Sequence, residues 1–417
     1  MRRLYTLLFA LFGPFWWLLV IIRDPAYRQG LGQRLGWIPR QHREVIWLHA
    51  ASVGEVAAAQ PLIEGLLCQY PGETLVVSTY TPGGRDMLKQ RFGARVQHVY
   101  LPHDLPGMVK RFLERLRPRL GIVLETELWP NLYHQAARRG IPLLLANARL
   151  SPRSGRRYAS GPGRLLFGPL LRELSWVGAQ TPADAQRLIA AGVLPERLEV
   201  TGNLKFDLRL PADTAARAGQ LRRLWGERPV CLAASTHDDE EARLLRVFRQ
   251  LREAFPELLL VLVPRHAPRF DGVAELVKRQ GWTLVRRSEQ RPCPASCAVF
   301  LGDSLGELPA YCQAADVIFM GGSLVPVGGH NPLEPAALGK AVVSGSQVAN
   351  FQAIYQALAE QEAVSLVDDE QALAAELRHG LADPQWLAER GARARALVEA
   401  HRGASDKTLA AIGRHFQ

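Results

Sequence analysis

The run VIFMGGSLVPVGGHNPLEP, residues 317–335, decides how the chain folds. Val317, Ile318, Phe319 and Met320 form an unbroken apolar segment of the kind found in a strand buried inside a parallel sheet. Gly321 and Gly322 then fall at the carboxyl end of that strand, the edge at which open α/β sheets take their ligands. Paired glycines there let a ligand come close to the backbone. After a second pair, Gly328 and Gly329, comes His330. Asn331 as N-cap, Pro332 at the first helical position and Glu334 in the first turn then spell a helix start. Helix amino ends hold phosphate. Two readings stay open at this point. The glycines are turn residues and Glu334 closes a capping box onto Asn331, or Glu334 accepts from ribose hydroxyls while the glycines and helix end hold a nucleotide phosphate.

Working outward from this run, apolar strand patterns alternate with helical ones along the chain. Strands are expected at 230–234, 258–263, 283–285, 298–301 and 341–343, with helices near 240–254, 273–280 and 371–378. The amino-terminal half repeats the alternation at 45–50, 74–80, 96–101, 120–124, 143–146 and 198–201, with one helix running from Ser52 to about Tyr70. Such alternation predicts doubly wound parallel sheets. Residues 203–228 are polar and charged and read as a linker. The expected division is therefore an anchor at 1–23, a Rossmann-like domain at 24–202, that linker, and a second Rossmann-like domain at 229–417 whose last helix packs back on the first. The fold class is α/β, two Rossmann-like domains facing a cleft.

A chain of 417 residues, 47% hydrophobic, is long enough for two separate cores. Its charge is uneven. Residues 1–202 hold 26 Lys and Arg against 14 Asp and Glu, a net +12, whereas residues 203–417 hold 25 against 26. A basic amino-terminal half points to an anionic partner: nucleic acid, an anionic membrane surface or a phosphorylated lipid. Five scattered cysteines, Cys68, Cys231, Cys293, Cys297 and Cys312, show no metal-ligand spacing and suit a reducing compartment.

Residues 4–22, LYTLLFALFGPFWWLLVII, carry no charge and lie between Arg2-Arg3 and Arg23. About 20 apolar residues span a bilayer, so the segment is expected to anchor the chain. Gly13-Pro14 is expected to kink it, which leaves open a crossing or a position within one leaflet. No cleavage site for a signal peptide follows it.

Candidate chemistry lies at strand ends. Glu55 follows Gly54 at the start of the first helix, on the switch-point edge of the sheet; a first-turn glutamate favoured by the helix dipole is the plainer reading. Glu125 and Glu127 end the strand at 120–124, and at i and i+2 they face one side if the strand continues. Beside Glu55 they would form a carboxylate cluster able to set one pKa against another. Lys205 sits at the junction between halves. Ser235-Thr236-His237, Pro264-Arg265-His266 and the loop GDSLGEL at 302–308 converge on the edge of the second sheet, where a guanidinium and backbone amides suit an anionic nucleotide. No Walker A, HExxH or Gly-x-Ser-x-Gly motif is present, which disfavours phosphoryl transfer, zinc proteolysis and serine hydrolysis.

Seven motifs in order, ASVGE (51–55), ETELWPN (125–131), NARLS (147–151), GNLKFD (202–207), STH (235–237), VPRH (263–266) and GGHNPLEP (328–335), resemble those of the Kdo transferases. These bacterial enzymes move 3-deoxy-manno-octulosonic acid (Kdo) from CMP-Kdo to the lipid A precursor. The resemblance implies a glycosyltransferase B fold, with the nucleotide bound mainly by the second domain and the lipid acceptor by the first. It implies Glu55 as general base, with Glu125 and Lys205 supporting the transition state. CMP would be held by Arg265 and His266, by Gly306, Glu307 and Leu308, and by Asn331, Pro332, Leu333 and Glu334. No cofactor or metal is expected, inversion at the anomeric carbon is expected, and the place of work is the cytoplasmic face of the inner membrane. Where the family writes Gly-Glu-Arg, this chain has Gly32-Gln33-Arg34, so Gln33 receives no role. A nucleotide-sugar 2-epimerase would share the architecture without needing the anchor or the basic half. A nucleic-acid module is disfavoured, because no aromatic-basic interleaving or recognition helix is present.

Overall fold

The computed structural model describes residues 1–416. It divides into two compact units: Met1–Leu208 together with the chain from His401 onward, and Arg209–Ala400. The first holds seven strands: Val45–His49 (β1), Thr74–Thr79 (β2), Gln97–Tyr100 (β3), Pro118–Leu124 (β4), Leu143–Ala148 (β5), Trp176–Ala179 (β6) and Leu198–Val200 (β7). They form one sheet in the order β3-β2-β1-β4-β5-β6-β7, and each pairing is parallel. Side chains alternate between its faces. Ile46, Leu48, Ile122 and Leu144 pack on the helices Gln60–Gln69 and Pro82–Phe92. Trp47, Val123 and Leu145 pack on Pro106–Leu116, Pro130–Ala137 and Gly161–Glu173. Both faces are covered, as an all-parallel sheet requires.

The second unit repeats the plan with Val230–Thr236 (β8), Leu259–Pro264 (β9), Leu284–Arg286 (β10), Val299–Leu301 (β11), Val317–Met320 (β12), Val342–Gly345 (β13) and Val364–Val367 (β14). The order is β10-β11-β9-β8-β12-β13-β14. In the first sheet the chain moves outward from β1 to β3 and then crosses back to β4; in the second it passes from β8 through β9 to the edge strand β10, returns to insert β11 between β10 and β9, and then crosses to β12. The switch points therefore lie between β1 and β4 and between β8 and β12. Residues 317–320 do form a central strand, buried throughout.

Four features depart from the sequence expectation. The helix expected from Ser52 to Tyr70 is two, Val53–Ala58 and Gln60–Gln69, because Pro61 has no N–H to continue the first ladder. Strands β6 and β14 were not anticipated: WVGA is short and diluted by Gly178, and VSLV lies at the sheet edge with Ser365 and Leu366 only partly covered. The stretch 203–228 contains a 3-10 turn, Leu204–Asp207, and the helix Thr214–Trp225. Ala218, Leu221 and Trp225 are buried at helical spacing beneath intervening arginines. The helix after Asn331 spans only Leu333–Ala337. Pro332 rather than Asn331 stands at its N-cap position; the Oδ1 of Asn331 accepts from the Leu333 N–H at 3.1 Å, and five residues carry little of the aligned dipole that would hold phosphate.

The helix Ala404–His415 packs on Gln60–Gln69, where Ala411 and Ile412 join the core. A Cβ at Gly65 would stand 2.4 Å from the Leu409 Cδ1 atom, so glycine there lets the two helices approach. The Asp207 carboxylate accepts from Gly403 N at 2.7 Å and Ser405 N at 2.5 Å and so fixes the start of this helix.

At the other end of the chain, the helix Arg2–Arg23 continues through Pro14 and is long and apolar enough to cross a membrane. Leu7, Leu11, Phe12, Phe15 and Ile22 are exposed along it. Its opposite side is held to the first unit. Arg2 Nη1 donates to Asn131 Oδ1 at 3.0 Å, Thr6 bonds the same amide, and buried Trp17 packs edge-on against Tyr27, Tyr80 and His103. Beneath Trp17 lies the fully buried Arg34, its guanidinium 4.3 Å from the Tyr100 ring centre and 4.7 Å from that of Trp17. These ring faces, with a 2.8 Å bond to Tyr80 O, stand in for a counter-ion. Gln33 Oε1 accepts from Tyr100 N at 2.8 Å, which gives this residue a structural role at edge strand β3.

Candidate active site

At the carboxyl end of β1 the chain turns at Ala51-Ser52 into the helix that carries Glu55. Ser52 Oγ accepts from Glu55 N, and the carboxylate returns the bond. Its Oε2 accepts from Ala51 N at 2.8 Å and its Oε1 from Ser52 Oγ at 3.0 Å. The side chain is therefore fixed, and it is 9% exposed. Burial pushes its pKa up to about 7, aided by Glu127 and Glu125 and opposed by His49 and the Ala51 amide. A carboxyl group so poised is half ionised near neutrality, the state a general base needs.

Glu125 ends β4, but the strand does not continue through it. Its φ of +53° turns the chain, so Glu125 and Glu127 take different partners rather than facing one side as a strand pair. Arg149 Nε donates to Glu125 Oε2 at 2.9 Å. Glu127 Oε2 accepts from the Trp129 indole N–H at 2.9 Å and lies 3.9 Å from Nε2 of His49, which is fully buried. His49 Nδ1 lies 2.9 Å from the Ser78 hydroxyl and 3.1 Å from the Ser78 carbonyl. Burial would raise the Glu127 carboxyl, but His49 and Trp129 hold it below its usual range. Neither glutamate caps the helix Pro130–Ala137. Asp104 does, accepting from Asn131 N and Leu132 N.

Lys205 is brought to the same cluster. Burial lowers its pKa and Arg149 adds to the effect, while Glu125 and Glu55 are near enough to oppose it. Asn147 sets the turn that carries it. Its backbone is left-handed, φ +54°, and its Oδ1 accepts from Leu204 N at 3.0 Å. The first unit thus gathers Glu55, Glu125, Glu127 and Lys205 around the ends of β1 and β4. His49, Asn147 and Arg149 join them; Asn147 and Arg149 belong to the NARLS motif without a role assigned to either, and His49 stood out only as part of the first strand.

In the second unit, Arg265 and His266 follow β9 and are exposed. His237 follows β8, and His330 reaches the same place from the loop after β12. The His237 ring centre lies 5.3 Å from that of His266 and 5.0 Å from that of His330. Glu240 organises the surrounding backbone. Fully buried at the start of the helix Glu240–Ala254, it accepts from His237 N, Gly322 N, Ser323 N and Leu324 N at 2.7–3.0 Å. Its neighbour Glu241 takes both ends of the Arg269 guanidinium at 2.7 and 2.8 Å. Gly321 is needed here, since a Cβ would stand 2.8 Å from Ser235 O.

The remaining sequence candidates fall on the same edge with narrower means of contact. The Glu307 carboxylate is held by Arg287 at 3.1 and 3.2 Å, with Arg217 3.8 Å away. The loop of Gly306, Glu307 and Leu308 therefore has its backbone to offer. Leu333 is fully buried and its amide serves Asn331, while Glu334 lies in the first turn after Pro332. Among the described residues no group of three or more His, Cys, Asp or Glu side chains is arranged to hold a metal ion, and the five cysteines are unpaired.

The sequence model of the family described as 3-deoxy-D-manno-octulosonic-acid transferase (kdotransferase) matches residues 29–208. A 3-deoxy-D-manno-octulosonic acid transferase of Haemophilus influenzae is 42% identical over 83% of this chain and 82% of its own. The Bordetella pertussis protein of the same name is 39% identical over 88% and 86%. Among solved structures, the UDP-GlcNAc 2-epimerase of Neisseria meningitidis bound to UDP-GlcNAc superposes with a TM-score of 0.59 over 89% of this chain and 100% of its own, at 16% identity, a likeness of fold alone. With the two parallel sheets and the motifs at their switch points, these relatives establish that the chain belongs to the 3-deoxy-D-manno-octulosonic acid transferases, a family of glycosyltransferases.

Proposed function

We propose that the protein transfers Kdo from CMP-Kdo to a hydroxyl of the lipid A precursor in lipopolysaccharide assembly, with inversion at the anomeric carbon. The observation that carries the mechanism is Glu55: a nearly buried carboxyl, fixed by two hydrogen bonds, with a pKa near 7 beside Glu125 and Lys205. Glu55 takes the acceptor proton as the hydroxyl attacks, and one base acting on one displacement inverts the centre. Positive charge grows on the sugar ring as in glycoside hydrolysis, and Glu125 offsets it. Negative charge grows on the departing CMP phosphate, for which the first unit offers Lys205 as a cation and the second unit offers Arg265 and backbone amides. CMP rests on Arg265 and His266, on the backbone of Gly306, Glu307 and Leu308, and on Asn331, Pro332, Leu333 and Glu334.

The acceptor is a phosphorylated lipid, and the basic half of the chain suits it. The helix Arg2–Arg23 holds the first unit at the cytoplasmic leaflet of the inner membrane. Because that helix is tied down at Arg2, Thr6 and Trp17 and bares only its other side, it lies along the leaflet rather than across it. The test is the mass of the lipid product after incubation with CMP-Kdo and lipid A precursor. Glu55→Gln should leave CMP binding intact and reduce transfer by roughly 10²–10⁴-fold. Transfer near the parent rate would remove Glu55 from the base role.

A further inference from the structure

Gly322 and two histidines form a unit that the transfer mechanism above leaves unused. His237 Nε2 and His330 Nε2 are 2.8 Å apart, with ring planes inclined by 11°. Two imidazole nitrogens meet at that distance only with one hydrogen between them, so one ring donates and the other accepts. The backbone is shaped for this contact. Gly322 has φ +69°, and a Cβ on it would stand 2.9 Å from His330 Cδ2 and Nε2 and 3.5 Å from His237 Cδ2. Its carbonyl accepts from Gly329 N at 2.7 Å, and Tyr355 OH donates to His330 O at 3.0 Å, which hold the His330 loop in place.

The charges around the pair are uneven. His330 is disfavoured as a cation by burial first, then by Arg265, His237 and His266, which bring it to about 3. His237 is also lowered by burial, with His266 and Arg269 adding to the effect, but Glu240 and Glu241 oppose it. A proton added to the pair therefore settles on His237, whose Nε2–H donates to His330 Nε2.

We infer that His237 and His330 act together at the phosphate end of the nucleotide site, His237 taking up a proton when an anionic phosphate arrives beside Arg265. This rests on the reading of the second unit as the CMP site. The proton comes from solvent and forms an N–H bond at Nδ1 of His237; the Nε2–H to His330 and the Nδ1–H of His330 are kept. The phosphate thereby meets a second cation next to Arg265, one that is present only while an anion is bound. His237 is thus a positioning residue for the leaving group, and His330 is the acceptor that fixes its tautomer.

Isothermal titration of the whole protein with CMP at pH 7.5, in two buffers of different ionisation enthalpy, counts the protons taken up per CMP bound. The parent should take up about half a proton or more beyond the count for His237→Asn, and His330→Asn should lose most of that excess. Cytidine, lacking the phosphate, should produce no uptake. Equal counts for the parent and His237→Asn, with CMP still bound, would overturn the proposal and leave the CMP site standing. Failure of the parent to bind CMP would overturn both. If one variant does not fold the other makes the comparison; if neither folds, zero uptake by the parent is the overturning result and phosphate-dependent uptake the supporting one.

Discussion

Glu55 is held in a position where being ionised is costly, and that cost has two measurable sides. Its pKa is raised from 4.5 to about 7, chiefly by burial. The rate of transfer at low substrate should therefore rise with pH through about 7, and a pH profile lacking that acid limb would separate Glu55 from the chemistry. The stability sign follows from the same shift. A carboxyl that binds its proton more tightly when folded contributes stability below the unfolded value, and the contribution is lost as pH rises through the folded one. Above pH 7 the folded protein carries an ionised, nearly buried carboxylate. Glu55→Gln, which stays neutral, should be more stable than the parent at pH 8 by about 1–3 kcal/mol. Near pH 4 to 5 the difference should fade, and thermal unfolding at both pH values measures it. Loss of activity with gain of stability at one position is the usual sign of a site strained for function.

Among the elements, the amino-terminal helix makes the sharpest claim, since its length and composition are those of a crossing helix while its contacts are those of a docked one. With exposed Cys68 and half-buried Cys293 replaced by serine, cysteines introduced one at a time at Leu7, Leu11 and Phe15 can carry a fluorophore. If the helix lies along the leaflet, lipids brominated at one depth should quench all three alike. A crossing helix would spread positions 7 and 15 over about 12 Å. Contact of this kind is invisible to a hydropathy reading, which sees only an uncharged run from Leu4 to Ile22. The strands at both switch points were legible because each is central and carries an apolar run, at 45–48, 120–124, 230–234 and 317–320. β6 and β14 were not, being four residues each and lacking a continuous apolar run. Glu240 escaped notice for another reason. A glutamate opening a helix reads as a dipole effect, and nothing local reveals that it receives amides 82–84 residues further along. Glu125 was found, but its positive φ was not, and that turn is why it meets Arg149 instead of lining up with Glu127.

At the scale of the whole molecule, the chain leaves the first unit near Leu208 and returns to it at His401. The returning helix supplies buried Ala404, Ala411 and Ile412 to a core otherwise built from residues before 208. Removing residues 404–416 should destabilise the first unit while sparing the second. Proteolysis should then cut within the first unit and leave a resistant fragment covering 209–400. Equal resistance of both units in the truncated protein would mean that the helix adds nothing to that core.

The bond between Asp207 and Gly403 joins residues 196 positions apart. During translation, the sheet that carries Glu55 and Lys205 must wait, with one flank bare, while the whole of 209–400 emerges and collapses. The ribosome thus imposes a schedule in which the second unit is finished before the first is closed. A nascent chain arrested before residue 400 would present an apolar groove beside Gly65 to whatever chaperone attends it.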